Sequence, residues 1–305
     1  MFISYFDDKR VVEKNITSAE KKLKSYREQI ATAIAENNDT VSEYSLFHAK
    51  DFALHETLTA IKKQYKGVKH VVLVGIGGSS LGVEAVHQVL DRGEVKLTVL
   101  DTVSAHGIDL TLKELLAYKK VENYVICIVS KSGKTTETLA NASVLLDALV
   151  AEKGEAVFKQ TIVIGDAGTE LMQYAKKRGL TMIAMPQVIG GRYSVATAVG
   201  LVPLTLLGYD VDDFIAGYLD ASEERFETLV AESAARIAAY HKLKYHHYNF
   251  FAFEPRLAAL GGWYRQLFAE SLGKEIDVNG KSVSFAMVPT ISTAVELHSV
   301  GQLYM

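Results

Sequence analysis

Val71-Val72-Leu73-Val74-Gly75-Ile76-Gly77-Gly78-Ser79-Ser80-Leu81-Gly82 reads as a short apolar run, a cluster of glycines and the start of a helical stretch that continues to Leu90. An apolar run without polar alternation is a strand buried on both faces, as in parallel sheets covered by helices. The same unit recurs downstream: Leu97–Leu100 before a helical stretch near Leu110–Tyr118, and Tyr124–Val129 before Thr135–Glu152. Thr161–Ile164 precedes Thr169–Arg178, and Thr181–Met185 precedes Tyr193–Leu207. Strands alternating with helices predict an α/β fold with a doubly wound parallel sheet.

Outside this block the chain is helical in pattern. Thr17–Glu36 carries Ala19, Leu23, Tyr26, Ile30 and Ile34 at helical spacing, with Thr17 or Ser18 as the expected cap and Asn37-Asn38-Asp39 as the stop. A second helix is expected over Ala49–Tyr65, and two more over Asp212–Leu219 and Ser222–Tyr240. A further β-then-α unit runs from Asn249–Phe253 through a break at Pro255 to Phe268, followed by an expected strand at Val283–Val288 and a helix from Ser292. The expected organisation is a helical segment over 1–44, a first α/β domain over 45–208, and a helical linker with a second α/β domain over 209–305. With about two strands, fewer than the usual sheet, the second domain is expected to be incomplete.

Composition bounds the function. The 305 residues are 49% hydrophobic and 23% charged, with a net charge of -3. These values exclude a disordered chain, and no basic surplus points to nucleic acid. No stretch of ~18 uninterrupted apolar residues suggests a membrane span, and a cytoplasmic location is expected. The single cysteine, Cys127, lies in an apolar run and reads as a small buried hydrophobe.

Five segments carry chemistry. Gly75–Gly82 ends a strand and opens a helix, where glycines let the backbone approach a ligand and free N–H groups meet an anion. Its spacing is not that of a dinucleotide fingerprint, although Asp101 lies about twenty residues on, where a ribose ligand would stand. Ser130-Lys131-Ser132-Gly133-Lys134-Thr135-Thr136-Glu137-Thr138 packs hydroxyls and a helix start into one loop. Ser130, Ser132, Thr135 and Thr138 can donate to phosphate oxygens, or simply cap the helix. Gly190-Gly191-Arg192-Tyr193-Ser194 holds an arginine at the rim of an apolar helix, placed to meet an oxyanion. Gln266–Lys274 places Glu270 near Trp263, Leu267 and Phe268, a setting for a general base. Glu296–Gln302 contains His298, an acid–base side chain suited to neutral pH. His246-His247 is adjacent rather than spaced for one site, and no cluster has metal-ligand spacing; neither metal nor cofactor is expected.

In this order the five segments resemble those of bacterial-type glucose-6-phosphate isomerases, from about residue 40 to the last. The resemblance implies two sugar isomerase domains and a metal-free aldose–ketose isomerase acting on glucose 6-phosphate and fructose 6-phosphate. It assigns Ser79, Ser130, Ser132 and Thr135 to the substrate phosphate, with the backbone around Gly78 and Lys131 helping. Glu270 matches the base that moves a proton between C1 and C2, and Arg192 the group that stabilises the cis-enediolate. His298 matches the ring-opening histidine, which in the family reaches the active site of the neighbouring subunit; a homodimer is thereby implied. Family members continue beyond the position of Met305 with a lysine and a glutamine that have no counterpart here.

Two alternatives stay open on the residues. A non-catalytic sugar-phosphate-binding module, or an inactive isomerase fragment, needs the hydroxyl loop but not Glu270. A different sugar-phosphate isomerase of the same fold would differ at the histidine and glycine–arginine segments.

Overall fold

The computed structural model describes residues 4–11, 13–36, 38, 51–90, 93–221, 224–277, 279–285 and 287–303. Helix α1 (Glu13–Ala35) is followed by α2 (Phe52–Gln64), β1 (His70–Val74), α3 (Leu81–Leu90), β2 (Lys96–Leu100) and α4 (Ala105–Ala117). Then come β3 (Tyr124–Val129), α5 (Thr136–Lys153), β4 (Thr161–Gly165), α6 (Glu170–Arg178), β5 (Thr181–Ala184) and α7 (Ala198–Leu206). The chain continues through α8 (Val211–Asp220), α9 (Glu224–Lys242), β6 (His247–Ala252), α10 (Ala258–Leu272) and β7 (Val288–Thr293).

The unalternating strands are buried as their composition demands. β1, β3 and β4 are buried at every residue, whereas the edges β2 and β5 are partly exposed. Successive side chains point to opposite faces. Val71, Leu73, Val125, Cys127 and Ile162 enter a core with α2, α3, α7 and α8, while Val72, Val74, Ile126 and Val163 enter one with α4, α5 and α6. All pairings are parallel, in the order β2-β1-β3-β4-β5. The order reverses between β1 and β3, and open sheets of this kind bind ligands outside the carboxyl ends of the strands at such a switch point. The glycine segment follows β1 and the hydroxyl segment follows β3, so the two flank it.

A second, two-stranded parallel sheet pairs β6 with β7, Phe250 opposite Ile291. Helix α10 lies directly on it because residue 261 is glycine: a Cβ there would stand 2.8 Å from Ile291 Cγ2 and 2.9 Å from Phe250 Cδ1. The same helix meets the first block, where the Ala259 N–H donates to Gln88 Oε1 on α3 at 3.0 Å. Spanning both blocks, α10 brings its last turn to the loops of the larger sheet. Helix α1 packs on α9 through Ile16, Ala235 and Ala239.

Four expectations are corrected. Helix α1 begins at Glu13, so Thr17 and Ser18 lie inside it rather than at its cap. Tyr193–Leu207 is not one helix: Gly191–Ala196 is a 3-10 turn, Thr197 is extended, and α7 starts after it. The Thr197 hydroxyl donates to Ser194 O at 2.7 Å and accepts from Val199 N–H at 3.3 Å, which satisfies both ends at the break. Of the strand expected over Val283–Val288, residues 283–285 and 287 are not in a strand, and β7 starts at Val288, where that segment was expected to end. The apolar residues of that segment are used otherwise, with Phe285 stacked on His241 at 4.4 Å and edge-on to Phe268 at 5.7 Å. The helix expected from Ser292 is a 3-10 turn, Ala294–His298, closed by a capping box between Thr293 and Glu296. The expected start points Ala49 and Ser222, the stop residues Asn37 and Asp39, and the boundary at residue 45 lie outside the described residues.

Candidate active site

Two backbone segments meet at the carboxyl edge of β1. Gly77–Ser79 forms a 3-10 turn before α3, and it packs against the turn Gly191–Ala196 so closely that a Cβ at Gly78 would stand 2.1 Å from the Gly191 carbonyl carbon. Only glycine fits there. Ser194 Oγ lies 2.7 Å from Gly191 O and 3.2 Å from Gly78 O, joining both turns. Ser79 is half-buried on this rim, and Ser80 is buried. Burial pushes the nearby Glu84 carboxyl, in the first turn of α3, above its usual range.

The hydroxyl segment distinguishes between cap and ligand loop. Thr135 occupies the N-cap position of α5, yet its side chain makes no capping bond. Its Oγ1 instead meets Ser130 Oγ at 3.0 Å across the loop, and Ser132 Oγ accepts from Lys134 N–H at 3.2 Å. The first turn of α5 thus keeps backbone donors without a threonine cap, the condition in which a helix start receives an anion. Thr138 and Ser130 are both buried at 1% exposure, but the Thr138 hydroxyl has no partner whereas Ser130 Oγ meets Thr135; Ser132 is exposed and Thr135 half-buried. Lys131 turns its side chain away from this group: its Nζ donates to the carbonyls of Gln187 and Ile189.

Arg192 leaves the glycine–arginine turn towards α10. Its Nε donates to Ser271 Oγ at 3.0 Å, its guanidinium lies 4.4 Å from the Tyr193 ring centre, and Trp263 Nε1 donates to its carbonyl at 3.3 Å. Arg192 Nη1 stands 3.7 Å from Glu270 Oε2, with side-chain exposures of 21% and 49%. Gln266 Nε2 donates to the other carboxylate oxygen at 2.8 Å. The carboxylate is therefore framed by Gln266 and Arg192 rather than enclosed by the apolar residues that precede it. An arginine and a half-exposed carboxylate at this spacing can face a bound molecule together, one as electrophile and the other as base.

The structure brings Gly78, Ser79, Arg192 and Glu270 around one edge, with Ser130, Lys131, Ser132 and Thr135 on the adjoining strand end. It does not bring His298 to them within this chain. His298 is exposed on the turn Ala294–His298 and shares no hydrogen bond or ion pair with Arg192 or Glu270. Sequence reasoning missed Ser271, Trp263 and Tyr193 as the groups that hold Arg192, and Gln266 as the partner of Glu270. Helical spacing offers a signal for Gln266, since residues four apart share a face. Among the described residues there is no group of three or more His, Cys, Asp or Glu placed to hold a metal, and no helix long and apolar enough to cross a membrane.

The chain has relatives among known proteins. The phosphoglucose isomerase family profile matches residues 14–302. The chain belongs to that family. It is 31% identical to the glucose-6-phosphate isomerase of Acholeplasma laidlawii over 305 residues, covering 97% of this chain and 70% of that one. Against the Thermus thermophilus enzyme of the same name it is 34% identical over 257 residues, covering 82% and 60%. In these alignments the chain covers only 60–70% of its phosphoglucose isomerase relatives. A crystal structure of a hypothetical protein from Thermus thermophilus superposes with a TM-score of 0.78 at 28% identity, covering 95% of this chain and 69% of that one. The Chlamydia trachomatis glucose-6-phosphate isomerase, at 19% identity and TM-score 0.76 over 96% of this chain and 63% of its own, shares the fold.

Proposed function

We propose that this chain binds the phosphate of a hexose 6-phosphate between the Gly77–Ser79 turn and the Ser130–Thr135 loop, and catalyses aldose–ketose isomerisation through a cis-enediolate. The interconverted pair is glucose 6-phosphate and fructose 6-phosphate, in keeping with the name its relatives carry. The observation that carries the reading is Glu270 facing Arg192 beside the glycine turn. Glu270 takes the C2 proton of the open-chain sugar and returns it at C1, while the hydroxyl proton passes from O2 to O1. Arg192 stabilises the oxyanion that develops between them, which eases removal of a weakly acidic proton. Ser79, Ser130, Ser132 and Thr135, with the backbone at Gly78 and Lys131, hold the phosphate.

In the same reading residues 45–208 and 209–305 act as two sugar isomerase domains with the catalytic pair at their junction, in a cytoplasmic homodimer. His298 opens the sugar ring in the neighbouring subunit. Its exposure, and the absence of a hydrogen bond or ion pair between it and Arg192 or Glu270 of its own chain, support that assignment.

The alternative, a binding module without catalysis, makes Glu270 dispensable. The experiment is interconversion of the two hexose phosphates followed by NMR. Glu270→Gln keeps the shape and removes the base, so it lowers the rate on the order of a hundredfold with substrate affinity largely retained. An unchanged rate in that variant would overturn the assignment.

A further inference from the structure

Lys131 stands in the middle of the hydroxyl loop, between Ser130 and Ser132, yet its ammonium reaches out of the loop. It donates to the carbonyl oxygens of Gln187 and of Ile189, the latter at 3.0 Å. Those carbonyls belong to the strand exit that leads straight into Gly190-Gly191-Arg192. The backbone of Lys131 is fixed as well, because its carbonyl accepts from Asp166 N–H at 3.0 Å. The residue thus joins, through one side chain, the loop read as the phosphate site and the turn that carries the arginine. A compact ammonium suits this bridging role, because it has three donors and two of them are engaged by carbonyls.

The turn it reaches is constrained from the other side by the first glycine segment. Ser194 Oγ is within hydrogen-bonding distance of Gly78 O, and Gly78 touches the Gly191 backbone. Arg192 is therefore delivered by a turn clamped between two loops, each of which faces the expected phosphate. The turn is thus held from both sides by direct contacts.

We propose that Lys131 is a positioning residue that couples occupancy of the 130–135 loop by a phosphate group to the placement of Arg192. The coupling rests on the sugar-phosphate reading above. It makes the phosphate more than an affinity handle: a substrate anchored by its phosphate finds the guanidinium already aimed at its C1–C2 end. By linkage, a ligand that engages Arg192 also favours the phosphate-binding form of the loop.

Two ligands separate this role from direct phosphate contact. Inorganic phosphate reports the loop alone, and 6-phosphogluconate, an acyclic phosphorylated acid, reports the loop and Arg192 together. Lys131→Met removes the donors and keeps the stem. It weakens 6-phosphogluconate roughly tenfold more than it weakens inorganic phosphate, the scale of coupling between neighbouring groups. In an Arg192→Ala background the same substitution has no further effect on 6-phosphogluconate. Loss of inorganic phosphate binding in Lys131→Met would overturn the proposal in favour of direct contact, and full additivity with Arg192→Ala would overturn it in favour of a general structural role.

Hydrogen–deuterium exchange on the unsubstituted chain gives a second readout that does not depend on the variant folding. Inorganic phosphate is expected to slow amide exchange in residues 187–193; exchange unchanged at saturating phosphate overturns the coupling. Failure of the unsubstituted chain to bind 6-phosphogluconate would defeat the sugar-phosphate reading and the coupling with it. Binding that Lys131→Met leaves unaltered would defeat the coupling alone.

Discussion

Arg192 and Glu270 face each other at 3.7 Å without a hydrogen bond between them, and each is held from behind by a neighbour on α10. Ser271 takes the Nε of Arg192, and Gln266 donates to Glu270. An ion pair this open to solvent contributes little to stability. Its arrangement is better understood as two groups kept apart and aimed at a common third.

Ser271 is then a positioning residue for Arg192. Ser271→Ala removes a hydrogen bond to a charged group and releases the guanidinium, and it is expected to weaken 6-phosphogluconate binding by about 1.5–3 kcal/mol. Calorimetry with a thermal melt as control checks this. Unaltered affinity would mean that Tyr193 and Trp263 suffice to place the arginine.

The hydroxyl loop makes a separate prediction. Thr135 directs its hydroxyl to Ser130 rather than to the helix, which leaves the loop ready for an anion. The double variant Ser132→Ala/Thr135→Ala should lose roughly 1.5–3 kcal/mol of binding for each charge-assisted bond removed. If its affinity for 6-phosphogluconate equals that of the unsubstituted chain, these hydroxyls serve the loop and not a ligand.

A pH dependence of stability follows from His70. The imidazole is buried on β1, with Nε2 bonded to Thr98 Oγ1 at 2.8 Å and Nδ1 without a partner. Burial, and then the nearby Lys96 ammonium, lower its pKa from 6.5 to about 4. The folded chain therefore keeps His70 neutral while the unfolded chain takes up a proton below pH 6.5. Stability from this group is complete above about pH 6.5 and falls as the pH drops towards about 4, by up to about 3 kcal/mol. His70→Gln should flatten that part of the curve in denaturant titrations across about pH 4 to 7. An identical slope in the variant would place the acid sensitivity elsewhere.

The larger sheet was legible because its strands are apolar without alternation: Tyr124–Val129 and the helix Leu81–Leu90 have the limits the pattern predicts. Local pattern failed where tertiary contacts decide. Phe285 and Val283 read as strand residues, but Phe285 is drawn into a ring stack with His241 and Phe268. Thr197 reads as helix interior, yet its hydroxyl satisfies the break between the 3-10 turn and α7. At the site, Arg192 and Glu270 are visible in the sequence as motif residues. Their juxtaposition is not, because 78 positions separate them and only the docking of α10 on α3 brings them together. The carbonyl clamp of Lys131 leaves no trace in the sequence, since backbone acceptors carry no residue signature.

Whether Glu270 takes a proton from C2 of a sugar phosphate facing Arg192 is best measured on a substrate that cannot cyclise to a pyranose. Erythrose 4-phosphate is such a substrate, and it removes any dependence on ring opening. The measurement is deuterium incorporation at C2 in heavy water, compared between the unsubstituted chain and Glu270→Gln. Incorporation by the unsubstituted chain is expected, with a loss on the order of a hundredfold in the variant. Equal incorporation by the two would show that Glu270 is not the base, and none by the unsubstituted chain would contradict catalysis and favour the binding module.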